Sequence, residues 1–233
     1  MLRKTIQVAV VAVLIAAGPV SAQNSPKPST PPSAQASPRA FEVIQTTTDQ
    51  VMEIVDAAQD YAAEDPERYY GKLQPVLDDV VDFSGFARGV MGPYASKQRY
   101  NSLDPDGKKQ MRAQMEQFTE TIRIGLVRTY GKGLLAFGGS RVEVQKPPSE
   151  PQDSNKISII QLIYNDTAEP YVIHYQMRRN KAGEWKLRNL IVEKINLGQI
   201  YRNQFQAAAR DVDGDIDSVI ADWTTTEEDP EEG

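Results

Sequence analysis

The chain contains no cysteine and a single histidine, His174. Without cysteine there is no disulfide framework, so folding must rest on a packed core. The N-terminal cysteine on which a lipid-anchored bacterial lipoprotein depends is missing too. With no Cys and a single His, a zinc site, which takes three or four groups of the Cys, His or carboxylate type, is not expected. A serine triad could formally use His174, but no serine stands in a G-x-S-x-G elbow, and a mid-strand position suits a histidine on a polar strand face. Positive charge is also scarce: 26 Lys and Arg against 32 Asp and Glu leave a net charge of −6. That balance argues against nucleic acid, whose phosphates demand a positive field, and against charge-driven attachment to an anionic membrane. The apolar run at residues 6–17 is too short to span a bilayer comfortably.

What is present begins with an address. Arg3 and Lys4 precede that apolar run, and Val20-Ser21-Ala22 closes it with small residues. This predicts a secretory signal peptide over residues 1–22, cleaved after Ala22. Its loss takes the net charge from −6 to −8. Residues 23–39 are rich in Pro and Ser with no apolar period, which predicts a disordered leader. The acidic stretch 224–233 predicts a disordered tail. One domain is expected between them, over residues 40–223.

The first half of that domain has a helical period. Ile44, Val51, Ile54, Val55 and Ala58 recur on one face. Pro66 marks a helix start, and Pro75 a kink or restart in the stripe Tyr69, Leu73, Val76, Leu77, Val80. A short helix is expected over 82–94, closed by Gly92-Pro93. The longest follows Asp104 and Pro105, with Met111, Met115, Phe118, Ile122, Leu126 and Tyr130 on one face. After residue 140 the period changes to 2. Strands are predicted at 141–145, 156–164, 171–178 and 184–193, the last two joined by a turn over 180–183. A final helix runs from Ile195 to about Ala209. Helices first and antiparallel strands after predict an α+β fold, with helices wrapped around a strongly twisted antiparallel sheet.

Chemistry is sparse. The Gly-rich stretch 125–139 misses the phosphate-loop spacing, with five residues rather than four before Gly131-Lys132 and Gly133 where Ser or Thr should hold magnesium. Its glycines are therefore read as helix caps and turns. Asp78, Asp79 and Asp82 form a compact carboxylate group. Tyr and Met recur on inward faces, a composition that fits a filled core and an apolar cavity equally.

Three stretches carry a resemblance: "VVDFSGFARGVMGPY" (80–94), "IGLVRTYGKGL" (124–134) and "HYQMRRNKAGEWKLRNLIVEKINLGQIYRNQF" (174–205). In order and spacing they resemble the signature blocks of the MlaC family, the toluene-tolerance auxiliary components. The resemblance implies a twisted antiparallel sheet and helices enclosing an apolar pocket. It also implies a soluble, monomeric periplasmic phospholipid carrier that maintains outer-membrane lipid asymmetry. Such a carrier has no cofactor, its phospholipid being cargo, and two partners: an outer-membrane lipoprotein–porin complex and an inner-membrane ABC transporter complex. The lining this implies is Phe83, Phe86, Val90, Met91, Leu126 and Tyr130 from helices. The sheet would add Val142, Val144, Ile157, Ile159, Tyr171, Ile173, Tyr175, Trp185, Leu187 and Leu190, with Leu197, Ile200, Tyr201 and Phe205 bracing from the last helix. Arg128 and Arg202 are expected to brace Asp82 or Glu193. The alternative is a small hydrolase or isomerase with a cone-shaped pocket and Asp82 as base.

Overall fold

Apolar residues three and four apart fold the first half into helices. α1 (Ala40–Ala58) buries Ile44, Thr48, Val51, Met52 and Val55 along one stripe. α2 (Pro66–Val80) starts at Asp65, whose carboxylate accepts the Arg68 N–H at 3.1 Å. Pro66 takes the first turn, where a missing N–H costs nothing. α3 (Phe83–Met91) starts at Asp82 and ends at Gly92, held at φ +56°. A 3-10 turn (Gly92–Ala95) and the short α4 (Lys97–Ser102) lead to α5 (Pro105–Leu135), 31 residues long, whose first turn is capped by Asp104 accepting from Gly107 N–H at 2.8 Å. The structure is a computed structural model and describes residues 39–135, 141–148, 154–164 and 169–223. The expected signal peptide, nearly all of the leader, the acidic tail and residues 149–153 lie outside the described residues.

Five strands follow: β1 (Arg141–Gln145), β2 (Lys156–Tyr164), β3 (Tyr171–Arg179), β4 (Trp185–Val192) and the two-residue β5 (Ile195–Asn196). They pair in chain order as an open antiparallel sheet. Between β3 and β4 a turn places Gly183 at φ +84°, and the Asn180 side chain accepts the N–H groups of Ala182 and Glu184. The chain closes with α6 (Leu197–Asp211) and α7 (Ile216–Trp223).

Register decides which face of the sheet is covered. Arg179 pairs with Trp185 and Met177 with Leu187, but Gln176 pairs with Asn189. Arg188 is the extra residue of a β-bulge. A strict alternation would place Asn189 and Ile191 beside Trp185 and Leu187. The bulge instead puts Trp185, Leu187, Leu190 and Val192 on one face, opposite Met177, Tyr175 and Ile173. Register carries this face on through Ile157, Ile159, Gln161 and Ile163 to Val142 and Val144. Helices cover it: Ala40, Ile44 and Val80 pack with Ile159, Met177 and Trp185. A second cluster joins Val51, Val55, Tyr69, Leu73 and Val127. The largest joins α3, α5, α6 and α7 around Phe118 and Phe205, both fully buried, with ring centroids 4.9 Å apart.

Three expectations change. Pro75 does not restart its helix, because α2 runs through it to Val80. Gly125, Gly131 and Gly133 are not caps, since all three lie inside α5. Gly131 is there for close approach: a Cβ would stand 3.2 Å from both Leu73 and Tyr70, and its carbonyl accepts the buried Tyr69 hydroxyl at 3.1 Å. Gly138 and Gly139 lie outside the described residues. The last helix begins at Leu197, and α7 follows it unforeseen. Ile216, Val219 and Ile220 of α7 are buried, and Asp217 accepts from Gln110 and Gln114 of α5.

Candidate functional site

Where these clusters meet they do not close. An apolar cavity of about 170 Å³ remains between the inner face of the sheet and the helices. α1 contributes Ile44, Thr47, Thr48 and Val51; the end of α2 contributes Leu77, Val80 and Val81. Phe83 and Phe86 come from α3, Leu126, Tyr130 and Leu134 from α5, and Leu197 from α6. Tyr175, Leu187, Leu190 and the flanking Arg188 and Asn189 complete the wall. Each of the three signature stretches reaches this one space.

Few polar groups face the hollow, and Thr48 and Tyr175 among them are satisfied. The Tyr175 hydroxyl donates to Gln161 Oε1 at 2.6 Å, and Gln161 Nε2 donates to Thr48 Oγ1 at 2.9 Å. Gln161 is fully buried, so this chain supplies the partners that a buried amide requires. Burial raises the Tyr175 hydroxyl above the ordinary tyrosine range, and it stays neutral. Burial also raises Tyr130, with the neighbouring Tyr201 hydroxyl adding to the effect through charge and a side-chain hydrogen bond. Arg188 donates to Asp82 and, at 3.3 Å, to the Gly85 carbonyl. A Cβ on residue 85 would fall 2.0 Å from that guanidinium, so glycine is what lets it lie against α3.

The acidic group is divided among structural tasks. Asp82 accepts the Gly85 N–H at 2.7 Å as the cap of α3, and its other oxygen holds Arg188. Asp82 N–H donates to Leu187 O at 2.9 Å beside the Val81–Leu187 bridge, tying the first signature stretch to the third. Asp78 takes both arms of Arg123, at 2.7 and 2.6 Å, which joins α2 to α5. The Arg123 hydrogen bonds hold the Asp78 carboxyl below the usual range. Arg128 pairs with Glu67 at 3.0 Å, and Glu193 accepts the Val172 N–H, so neither expected brace forms; Arg188 fills that role. No group of acids, Cys or His suited to a metal ion occurs among the described residues. None of the described helices is long and apolar enough to cross a membrane.

Of the sixteen residues expected to line a pocket, Phe83, Phe86, Leu126, Tyr130, Tyr175, Leu187 and Leu190 border the cavity. Val90 and Met91 are buried in the α3–α5–α6 cluster. Val144, Ile157, Ile159 and Trp185 pack below α1, and Ile173 and Val142 pack with Ile163 and Val192. Tyr171, at the start of β3, is 40% exposed. All ten strand residues share the inner face; those beyond the hollow are held off it by their own packed neighbours. Among the expected braces, Leu197 borders the hollow, Phe205 is buried in the large cluster and Ile200 is 37% exposed. Sequence reasoning missed the α1 and α2 walls as lining, although Ile44, Val51, Leu77 and Val80 stood in its stripes. Thr48 fills the i+4 step between Ile44 and Val51, a spacing that could have revealed it.

A family model described as "MlaC protein" matches residues 45–225. The chain is 28% identical over 182 residues to the toluene tolerance protein ttg2D of Pseudomonas putida, covering 78% of each chain. Its fold is similar, with a TM-score of 0.62 at 19% identity, to that of a phospholipid-binding protein from Ralstonia solanacearum solved in complex with a phospholipid. That match covers 79% of this chain and 98% of the other.

Proposed function

Because this chain belongs to the MlaC family, we propose that its apolar cavity is the seat of phospholipid acyl chains and that the protein is a binding protein, not an enzyme. The observation that carries the reading is the hollow itself, walled by all three signature stretches and apolar but for a few polar groups, of which Thr48 and Tyr175 are satisfied. A water-filled catalytic cleft would want unpaired acids, bases or donors aimed at a reacting atom. Asp82, the one candidate base, is instead spent on the α3 cap and Arg188.

The energetics favour exchange with a bilayer over capture from water. About thirty methylenes at ~0.8 kcal/mol each would give roughly 24 kcal/mol against water, beyond the ~18–21 kcal/mol ceiling of non-covalent affinity. Chains drawn from a membrane leave hydrocarbon for hydrocarbon, so the net change is small and the cargo is released as readily as it is taken. A hollow of about 170 Å³ is close to the ~150 Å³ apolar cavity that stays dry and admits a benzene. It accepts a few methylenes at a time. Loading therefore parts the clusters around it, with α1 and α5 moving off the inner face of the sheet.

From the family we further propose that the chain works in the periplasm, after loss of residues 1–22, as a soluble monomer. There it carries phospholipid between an outer-membrane lipoprotein–porin complex and an inner-membrane ABC transporter complex, and so preserves outer-membrane lipid asymmetry. Residues 40–223 form the working domain, and the remaining expected lining residues meet the cargo once the walls have parted.

Native mass spectrometry of the protein purified without detergent tests the reading, with a co-purified phospholipid as the expected result. Protein that stays lipid-free after incubation with phospholipid vesicles would overturn it. Asp82→Asn separates the enzymatic alternative: a carrier keeps its lipid load, whereas an enzyme using Asp82 as base loses turnover.

A further inference from the structure

Beside the apolar cavity lies a second hollow of about 680 Å³, between α3, the start of α6, the start of β2, the end of β3 and the middle of β4, where register sets Lys156 and Arg178 on the sheet face turned away from the cavity. The two share Phe86, Arg188 and Asn189 as common walls. The second is polar and basic. Lys156, Arg178, Arg188 and Arg202 line it, and no Asp or Glu does. Only Arg188 is neutralised, by Asp82. The other three make no ion pair among the described residues. In a chain of net charge −6, three unpaired cations around one acid-free hollow run against the overall balance.

Their placement carries an energetic cost. Lys156 stands directly opposite Arg178 in the β2–β3 register, and like charges facing each other across strands destabilise a sheet. An anion between them turns that repulsion into attraction. The wall opposite is bare at Gly89 of α3, where a Cβ would meet nothing within 4 Å, while Arg188 covers Gly85 one turn before it. The N-terminus of α6 is not the attractor. Asn189 accepts from Gly198 N–H and Asn196 from Gln199 N–H, which leaves the side-chain cations to do the binding.

We propose that this groove holds a phosphate oxyanion, and that its source is the headgroup phosphate of the lipid whose chains occupy the adjoining cavity. The inference rests on the carrier reading above. Arg178 and Arg202 reach the phosphate from opposite sides, Lys156 supplies a third charge, and the rest of the headgroup extends into water through the open side. Arg188, tethered to Asp82 between the hollows, marks the line where hydrocarbon ends.

The test compares the whole protein with R178Q/R202Q. Both arginines are exposed and make no ion pair among the described residues, so the fold tolerates the change. Each protein is loaded with phosphatidylglycerol or with diacylglycerol of the same chains, and release to empty vesicles is timed. Phosphatidylglycerol should leave the variant about tenfold faster than wild type at low salt, with the difference shrinking in 0.5 M salt, while diacylglycerol release is unchanged. Equal release of phosphatidylglycerol from both proteins overturns the groove as a headgroup site and leaves the carrier reading intact. Failure of wild type to load either lipid overturns both. Inorganic phosphate bound by wild type and lost in the variant, with phosphatidylglycerol and diacylglycerol released alike, assigns the groove to free phosphate and overturns the headgroup assignment.

Discussion

Filling the apolar cavity should make the lipid-free protein more stable and lipid-poor at once. An unfilled hollow destabilises by about 24 cal/mol per Å³. At about 170 Å³ the empty protein forgoes about 4 kcal/mol. Leu190→Trp directs an indole from the inner face of β4 into this space, opposite Tyr175. The ring meets void rather than packed atoms, so part of the deficit is recovered and part is lost to imperfect fit, with a net gain of about 1 kcal/mol. For a domain of this size that raises Tm by roughly 2–4 °C. The assay is thermal unfolding of delipidated wild type and variant, with phospholipid per protein counted by mass spectrometry after vesicle incubation. Occupancy should fall at least fivefold. Leu162→Trp, whose register places it on the opposite face of the sheet, should leave occupancy unchanged. A Leu190→Trp protein that is more stable and still fully loaded would refute the cavity as the seat of the acyl chains. One that is less stable and fully loaded would refute the void as well.

Tyr175→Phe removes the donor to Gln161 Oε1 and leaves a fully buried acceptor unpaired; urea unfolding should show a loss of about 1–3 kcal/mol. Asp78→Asn breaks the bidentate tie to Arg123. Because the folded carboxyl is held below its ordinary value, its stabilisation is full above the unfolded pKa near ~3.9 and vanishes as pH falls through the folded value. Both partners are about one-third exposed, so the variant should lose under ~1 kcal/mol at pH 7 and converge on wild type in urea titrations as the pH falls through the folded value. Gly131→Ala gains helix propensity worth ~1 kcal/mol but pushes a methyl to 3.2 Å from Leu73 and Tyr70. Calorimetry should find it destabilised by about 1 kcal/mol, since overpacking between α2 and α5 outweighs the propensity.

Local rules reached far into this chain. Periods of 3.6 and 2, Asp and Pro at helix starts, and the Asn180–Gly183 turn all report on neighbours a few residues away, so the helices, strands and α+β class were legible. The grouping of Trp185, Leu187, Leu190 and Val192 was legible as an apolar pattern, but its steps of two, three and two make one face only because Arg188 bulges. Helix α7 carried its own signal in Ile216, Val219 and Ile220, overlooked because eight residues make a short stripe.

The sequence by itself determined that the interior would be apolar and which family the chain belongs to. Tertiary structure alone decided where that interior stays hollow. A void is the space that residues distant in the chain fail to fill together, and no local pattern encodes it. Gln161, Thr48 and Tyr175 are unremarkable apart and form one satisfied chain once three elements meet. Lys156, Arg178 and Arg202 likewise lie scattered along the sequence until register and helix packing bring their charges around a single groove.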